Sequence, residues 1–401
     1  MVKKLLVFFV LLASAYFFKF VYLPGQIGLV LVFGANFLML LVVIITAIYD
    51  RSKKFHQFSG FSVGLIFLSL LLGAYGATWG HSQGFLLSLW AQTSMYFYLF
   101  YFFLHALKIR PAELEKMLII MGFLYVGFFL FQYVVYPRMF FGGRANEERG
   151  TVRLFFPGSS FAGFMYYYFL YKLFTDKKLI YVLYALLILA IPILQGTRSS
   201  ILTFLLGTLL FVLFSRQVKS KFAAILLMSA AVLLVFFLFQ DIITNLIEVS
   251  QTQASQENDD IRIRSSKFYA LEFSPTPLNF WIGNGEAHGA SSYGLKVFFY
   301  KSNFGFYQSD IGIVGEYSKY GVLWLVCVVL IFIKLFTMKI DPRYGYIKIW
   351  ALLLIFNELM GGAFSRATEI IIITSVLYIY DISNFELYHE DKASEEIKLT
   401  G

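Results

Sequence analysis

The chain has 401 residues, of which 59% are hydrophobic and 14% charged, with a net charge of +9. Soluble domains average about 25% charged residues, so the composition excludes a soluble enzyme and points to an integral membrane protein. The positive balance does not indicate nucleic acid, because no basic cluster sits on a soluble module, and the lone cysteine, Cys327, excludes an intrachain disulfide or a cysteine-based metal site.

A membrane-crossing helix needs about 20 mainly apolar residues. By that measure the sequence predicts about twelve spans: 4–22, 26–49, 60–78, 85–107, 117–136, 158–174, 179–194, 200–214, 222–239, 310–336, 349–361 and 367–381. The expected fold class is all-α and polytopic, one integral membrane domain over 1–401. Lys3, Lys4, the apolar run Leu5–Leu12 and Ala13-Ser14-Ala15 have the pattern of a cleavable signal peptide. The apolar run continues to Tyr22, and we read it as an uncleaved first span.

Alternate connections are short and basic. They carry Arg51, Lys53 and Lys54; Lys108, Arg110 and Lys116; Lys177 and Lys178; Arg216, Lys219 and Lys221; and Lys339, Arg343 and Lys348. Positive charge accumulates on the cytoplasmic side, which places these segments and both termini inside. The acidic segment 382–401 reads as a disordered cytoplasmic tail. Two outer segments stand out, the Arg-rich 137–157 and the large hydrophilic loop 240–309 between the ninth and tenth spans. Long loops in compact proteins are usually functional.

Eight of the twelve arginines fall outside by this reading: Arg138, Arg144, Arg149, Arg153, Arg198, Arg262, Arg264 and Arg366. This runs against the inside-positive trend and calls for an anionic partner. Guanidinium groups pair bidentately with phosphates, and a phosphate at the outer face points to a lipid-linked substrate.

Arg198 lies in Gln195-Gly-Thr-Arg-Ser-Ser200, where small and hydroxyl residues offer donors to an anion; the plainer role is an arginine snorkelling to lipid headgroups. Arg262 and Arg264 share a face if their stretch is extended and stand about 200° apart if it is helical. Extended, they would clamp a diphosphate together with Arg198. Trp281-Ile-Gly-Asn-Gly-Glu286-Ala-His288 offers a carboxylate, an imidazole suited to general-base work and an aromatic for sugar stacking. Asp310 is either a helix N-cap or the group that activates an acceptor hydroxyl. Glu316, Lys319 and Tyr320 follow it into lipid-depth sequence, where polar groups face a protein interior or cavity. Arg144, Arg149 and Arg153 form an Arg-rich flap for phosphate or acidic glycan, or else bind lipid headgroups. Arg366, in Gly361-Gly-Ala-Phe-Ser-Arg366, repeats the small-residue-plus-Arg theme, with Glu358 and Glu369 as structural partners in the plainer reading.

Gly196-Thr-Arg-Ser199, Arg262/Arg264, Trp281-Ile-Gly-Asn-Gly285 and Asp310–Gly321, on this topology, resemble the polysaccharide polymerase and ligase superfamily of bacterial envelopes (Wzy and WaaL). The resemblance implies a GT-C-like glycosyltransferase of the bacterial inner membrane, active on its outer face without metal or other cofactor. Its substrates would be an undecaprenyl-diphosphate-linked oligosaccharide donor and a lipid-linked acceptor of O-antigen, capsule or exopolysaccharide. A Wzz-like chain-length regulator and membrane lipids would be its partners. The resemblance implies that Arg198 and one of Arg262 or Arg264 hold the donor diphosphate, with Arg153 beside them. Arg144, Arg149, Arg366, Tyr320, Glu316 and Trp281 are the expected substrate contacts. Ligases carry a histidine where the large loop returns to the membrane, and here the stretch reads Gln308-Ser309-Asp310. The base is therefore Asp310, His288 or Glu286. The alternatives to polymerisation are ligation to lipid A core or another acceptor, and flipping of a lipid-linked oligosaccharide.

Overall fold

A computed structural model describes residues 1–49, 58–141, 144–148, 151–215, 217–218, 220–238, 240, 244 and 261–400. The protein is a helical membrane protein. Among the described residues, four helices are long and apolar enough to cross a bilayer: Gly25–Tyr49, Ser59–His81, Pro111–Val135 and Gly312–Thr337, with mean hydropathies of 2.8, 1.8, 2.2 and 2.3. Twenty-five residues reach about 38 Å, more than the roughly 30 Å of hydrocarbon. Ile180–Leu194 and Arg198–Phe214 are shorter apolar helices. The chain divides into two compact units, the first made of residues 1–32, 112–258 and 343–353 and the second of the remainder.

The first unit holds α1 (Val2–Ser14), α6 (Pro111–Val135), a hairpin of β1 (Arg144–Glu148) and β2 (Thr151–Phe155), α7 (Ser159–Asp176), α8 (Ile180–Leu194), α9 (Arg198–Phe214) and α10 (Lys221–Leu238). The apolar run 4–22 does not form one helix. α1 stops at Ser14, and Tyr16, Phe17, Phe18 and Lys19 take left-handed φ of 48–54°. Packing overrides the local pattern here: Phe18 is buried against the Phe128 ring at 5.1 Å, and Phe20 bridges Phe141. The hairpin is a short two-stranded insert in an otherwise all-α fold. Its register pairs Arg144 with Phe155 and Glu148 with Thr151. Gln132, buried at the end of α6, accepts from the backbone N–H groups of Phe140 and Phe141 and donates to the Arg138 carbonyl, which fixes the approach to the hairpin.

The second unit contains most of α2 (Gly25–Tyr49), then α3 (Phe58–His81), α4 (Phe85–Ala91), α5 (Leu99–Leu107), α11 (Ile261–Lys267), α12 (Pro277–Ile282), α13 (Ser292–Phe304), α14 (Gly312–Thr337), part of α15 (Tyr346–Gly361), and α16 (Ala367–Thr400). The expected span 85–107 is broken by a 3-10 turn over Thr93–Tyr98. That turn is held from outside itself: Asn36 donates to the Thr93 carbonyl and Tyr98 to that of Phe364. α16 is buried from Ile370 to Tyr380, a stretch that is apolar apart from Thr374 and Ser375, whose hydroxyls bond back to the helix's own carbonyls. It continues as helix to Thr400, in place of the disordered tail expected from composition.

α3 and α14 pack along each other in the second unit, and the Gly-rich turn is wedged between them. Gly73, Gly76 and Gly80 recur along α3. A Cβ at Gly76 would sit on the Gly283 carbonyl oxygen, and one at Gly80 on the Asn279 amide. Asn279 donates to the Gly76 carbonyl at 2.8 Å. The turn also pairs by backbone with α14, Asn284 N–H to Ser318 O (2.9 Å) and Gly285 N–H to Lys319 O (2.8 Å). α14 kinks at Gly321 (φ +76°), where the turn's backbone leaves no room for a side chain.

Candidate functional site

In the first unit the site is the turn between α8 and α9. Pro192 has no N–H to continue the α8 ladder, and Gly196 takes φ +60°, a conformation free to glycine. Thr197 returns its N–H to the Pro192 carbonyl at 3.0 Å, and Arg198 opens α9. The hairpin is clasped onto this turn. Arg153 Nε donates to the Gln195 carbonyl at 3.1 Å, and Gln195 Nε2 returns a bond to the Leu154 carbonyl at 2.9 Å. The Arg153 guanidinium also lies over the Phe155 ring at 4.8 Å. Arg153 is thus bonded to the turn at Gln195, three residues before Arg198, which opens a helix whose N-terminal N–H groups favour anions. Arg144 opens β1, and Arg149 lies outside the described residues.

In the second unit the structure ties Glu286 to α14. Lys319 Nζ donates to Glu286 Oε1 and the Tyr320 hydroxyl to Oε2, each at 2.8 Å. Gln83 holds the same turn, donating to the Glu286 carbonyl and accepting from the His288 N–H at 2.9 Å each, and from the Ser291 hydroxyl at 2.6 Å. His288 Nδ1 accepts from the Ala290 N–H at 3.2 Å. Glu286 is the base candidate fixed by two side-chain donors.

Asp310 is exposed at the end of a 3-10 turn and accepts from the Ser309 hydroxyl. It does not cap α14, whose N-cap is Ile311 with no side-chain bond, so the capping expectation is corrected. Arg262 and Arg264 lie on α11, about 200° apart, and the shared face expected of an extended strand does not form. Arg264 reaches over the Phe306 ring at 6.0 Å. Arg366 donates to the helix-end carbonyl of Gly361 at 2.5 Å, and its charge also acts on Glu358. Trp281 is 61% exposed on α12, open to a ring partner.

Beside the expected contact Glu316, two buried polar features of the second unit were not legible as a site, the Lys334–Asp381 pair and His81. Glu316 is buried beside Glu358, and Gly362 closes over it. Glu358 accepts from the Phe364 N–H at 3.0 Å. Farther along α14, buried Lys334 pairs with Asp381, which also accepts from Tyr101 (2.6 Å) and Ser59 (3.1 Å). His81, the last residue of α3, bonds Asn284 Oδ1 at 3.0 Å and stacks on Tyr293 at 4.0 Å. Burial, and secondarily the Glu286 charge, raises the Tyr293 phenol well above its ordinary value, and burial lowers the Lys296 ammonium beneath its own. The spacing of Gly73, Gly76 and Gly80 was the one sequence signal of this packing. Among the described residues, no three His, Cys, Asp or Glu side chains gather in a metal-binding group.

No protein-family model matches this chain, and no characterised protein matches its sequence.

Proposed function

We propose that this protein is a polysaccharide polymerase of the bacterial inner membrane, of GT-C type with about twelve spans, that extends a lipid-linked glycan on the outer face. The observation that carries the reading is the turn at Gln195–Arg198. In a chain this apolar, Arg198 at a helix N-terminus, with Arg153 bonded to the turn just before it, matches a diphosphate at the membrane surface.

In this reading Arg198 and Arg153 neutralise the charge that grows on undecaprenyl diphosphate as its bond to the sugar C1 breaks, an electrostatic stabilisation of the transition state. The leaving group keeps the bonding electron pair. The acceptor hydroxyl attacks C1 from the opposite side, which inverts the anomeric centre, and its proton passes to a general base, a step worth typically 10²–10⁴-fold. Within the second unit, the Lys319 and Tyr320 contacts make Glu286 the best-fixed candidate for that base. Ligation of a finished glycan to a separate acceptor would use the same chemistry.

A second reading, transport of the lipid-linked glycan, draws on the buried Glu316–Glu358 pair, because ionisable residues inside spans commonly serve ion or substrate pathways. One experiment separates the three. The purified protein is incubated with an undecaprenyl-diphosphate-linked repeat unit, and products are resolved by gel and mass spectrometry. A ladder spaced by one repeat, with release of undecaprenyl diphosphate, establishes a polymerase. A single addition that requires a separate acceptor establishes a ligase. No new bond with the authentic donor refutes both and leaves transport.

A further inference from the structure

α13 (Ser292–Phe304) is amphipathic in an unusual way: one apolar face is used by the protein and another is left uncovered. Tyr293 is buried and Val297 and Tyr300 pack on the same small core as Phe268 and Phe273. At 100° per residue these positions share one side of the helix. Leu295, Phe298 and Phe299 occupy the opposite side and are 65%, 62% and 53% exposed. Lys296 and Lys301 flank that exposed stripe, turned roughly 100° and 120° from Leu295. Both ammonium groups lie over rings, Lys296 at 5.2 Å from the Phe273 centroid and Lys301 at 4.9 Å from that of Tyr307.

The depth of the helix is set at both ends. At its start Tyr293 stacks on His81, the final residue of a membrane-length helix. Beyond its end, Gly305 turns the chain with φ +68° and the membrane-length helix α14 begins at Gly312. α13 is therefore pinned where two apolar spans terminate, at the level of lipid headgroups.

We propose that α13 is an interfacial helix whose Leu295–Phe298–Phe299 face beds in the lipid of the bilayer surface, with Lys296 and Lys301 at the phosphates on either side. Large aromatics between lysines are the composition of helices that lie in the interface plane, and long lysine stems allow the charge to stay in the headgroup layer. A second copy of the chain is the weaker occupant. A stable protein interface takes about 800 Å² and 20–30 residues per partner, more than three side chains on a 13-residue helix present. The inference requires only that the chain spans a membrane, and stands apart from the glycan reading.

The test uses the full-length protein in phospholipid vesicles. Cys327 is fully buried, so cysteines introduced by L295C, F298C, F299C and N303C take a nitroxide label selectively. Power saturation compares access to oxygen, which concentrates in lipid, and to a water-soluble nickel chelate. The proposal expects the oxygen-to-nickel ratio at 295, 298 and 299 to exceed that at 303 several-fold. A water-like ratio at all four positions overturns it. Exclusion of both reagents at 298, with dipolar broadening that disappears on dilution with unlabelled protein, also overturns it and identifies a second copy. Should a label disturb folding, F298W and N303W in vesicles of brominated lipid answer the same question. The added fluorescence of F298W must be quenched more strongly than that of N303W, and equal quenching overturns the proposal.

Discussion

Cutting the Lys334–Asp381 ion pair is expected to be the most damaging single change in the second unit. Both side chains are only 2% exposed, so neither charge can turn to water. Asp381 is fully engaged, by Lys334 and Ser59 on Oδ1 and by Tyr101 on Oδ2. Replacing Lys334 with methionine leaves a buried carboxylate with two neutral donors; replacing Asp381 with leucine strands the ammonium. Breaking a buried pair from one side costs about 3–5 kcal/mol, whereas replacing both partners with apolar residues of similar volume is often neutral. An ordinary hydrogen bond between membrane helices averages only about 0.6 kcal/mol, so the two explanations differ roughly fivefold or more. The assay is a double-mutant cycle on K334M, D381L and the double variant, read by reversible unfolding in mixed micelles. The expected result is a large loss in each single variant and recovery of most of it in the double. Single losses below about 1 kcal/mol that simply add would refute the reasoning, because the charges would then be hydrated or otherwise compensated.

Three further outcomes follow from the geometry. G76A places a methyl group on the Gly283 carbonyl and should destabilise the second unit by about 1–3 kcal/mol, seen as a lowered unfolding midpoint; G64A, on the same helix with open space around its Cα, should not. R198A and R153A should each abolish polymer formation in the repeat-unit assay while membrane insertion, checked by fractionation, is retained. Normal product from either would sink their assignment to the diphosphate. E286Q should lose turnover with little change in donor binding, whereas D310N, altering an exposed carboxylate, should retain most activity; the reverse order would transfer the base role to Asp310.

The sequence alone was sufficient for the class of the protein. An apolar run of 25 residues such as Gly25–Tyr49 has one stable arrangement in lipid, a helix that satisfies its own backbone, and no tertiary knowledge is needed to see it. Local chemistry also sufficed for the turn at Gln195–Arg198, where Pro192 and Gly196 dictate a break whatever surrounds them. Elsewhere the outcome depended on partners distant in the chain. The run 4–22 is apolar throughout, and only the burial of Phe18 among rings more than 100 residues away decided that α1 ends at Ser14. Arg262 and Arg264 read equally well as strand or helix over seven residues, so packing chose between a shared face and opposed ones. The Gly73–Gly76–Gly80 stripe was visible, but its occupant was not, because a small residue records only that something comes close. Lys334 and Asp381 each stand as a single charge in apolar sequence. Their partnership spans 47 positions, and a single chain read in order carries no signal for a contact that exists only once the helices stand side by side.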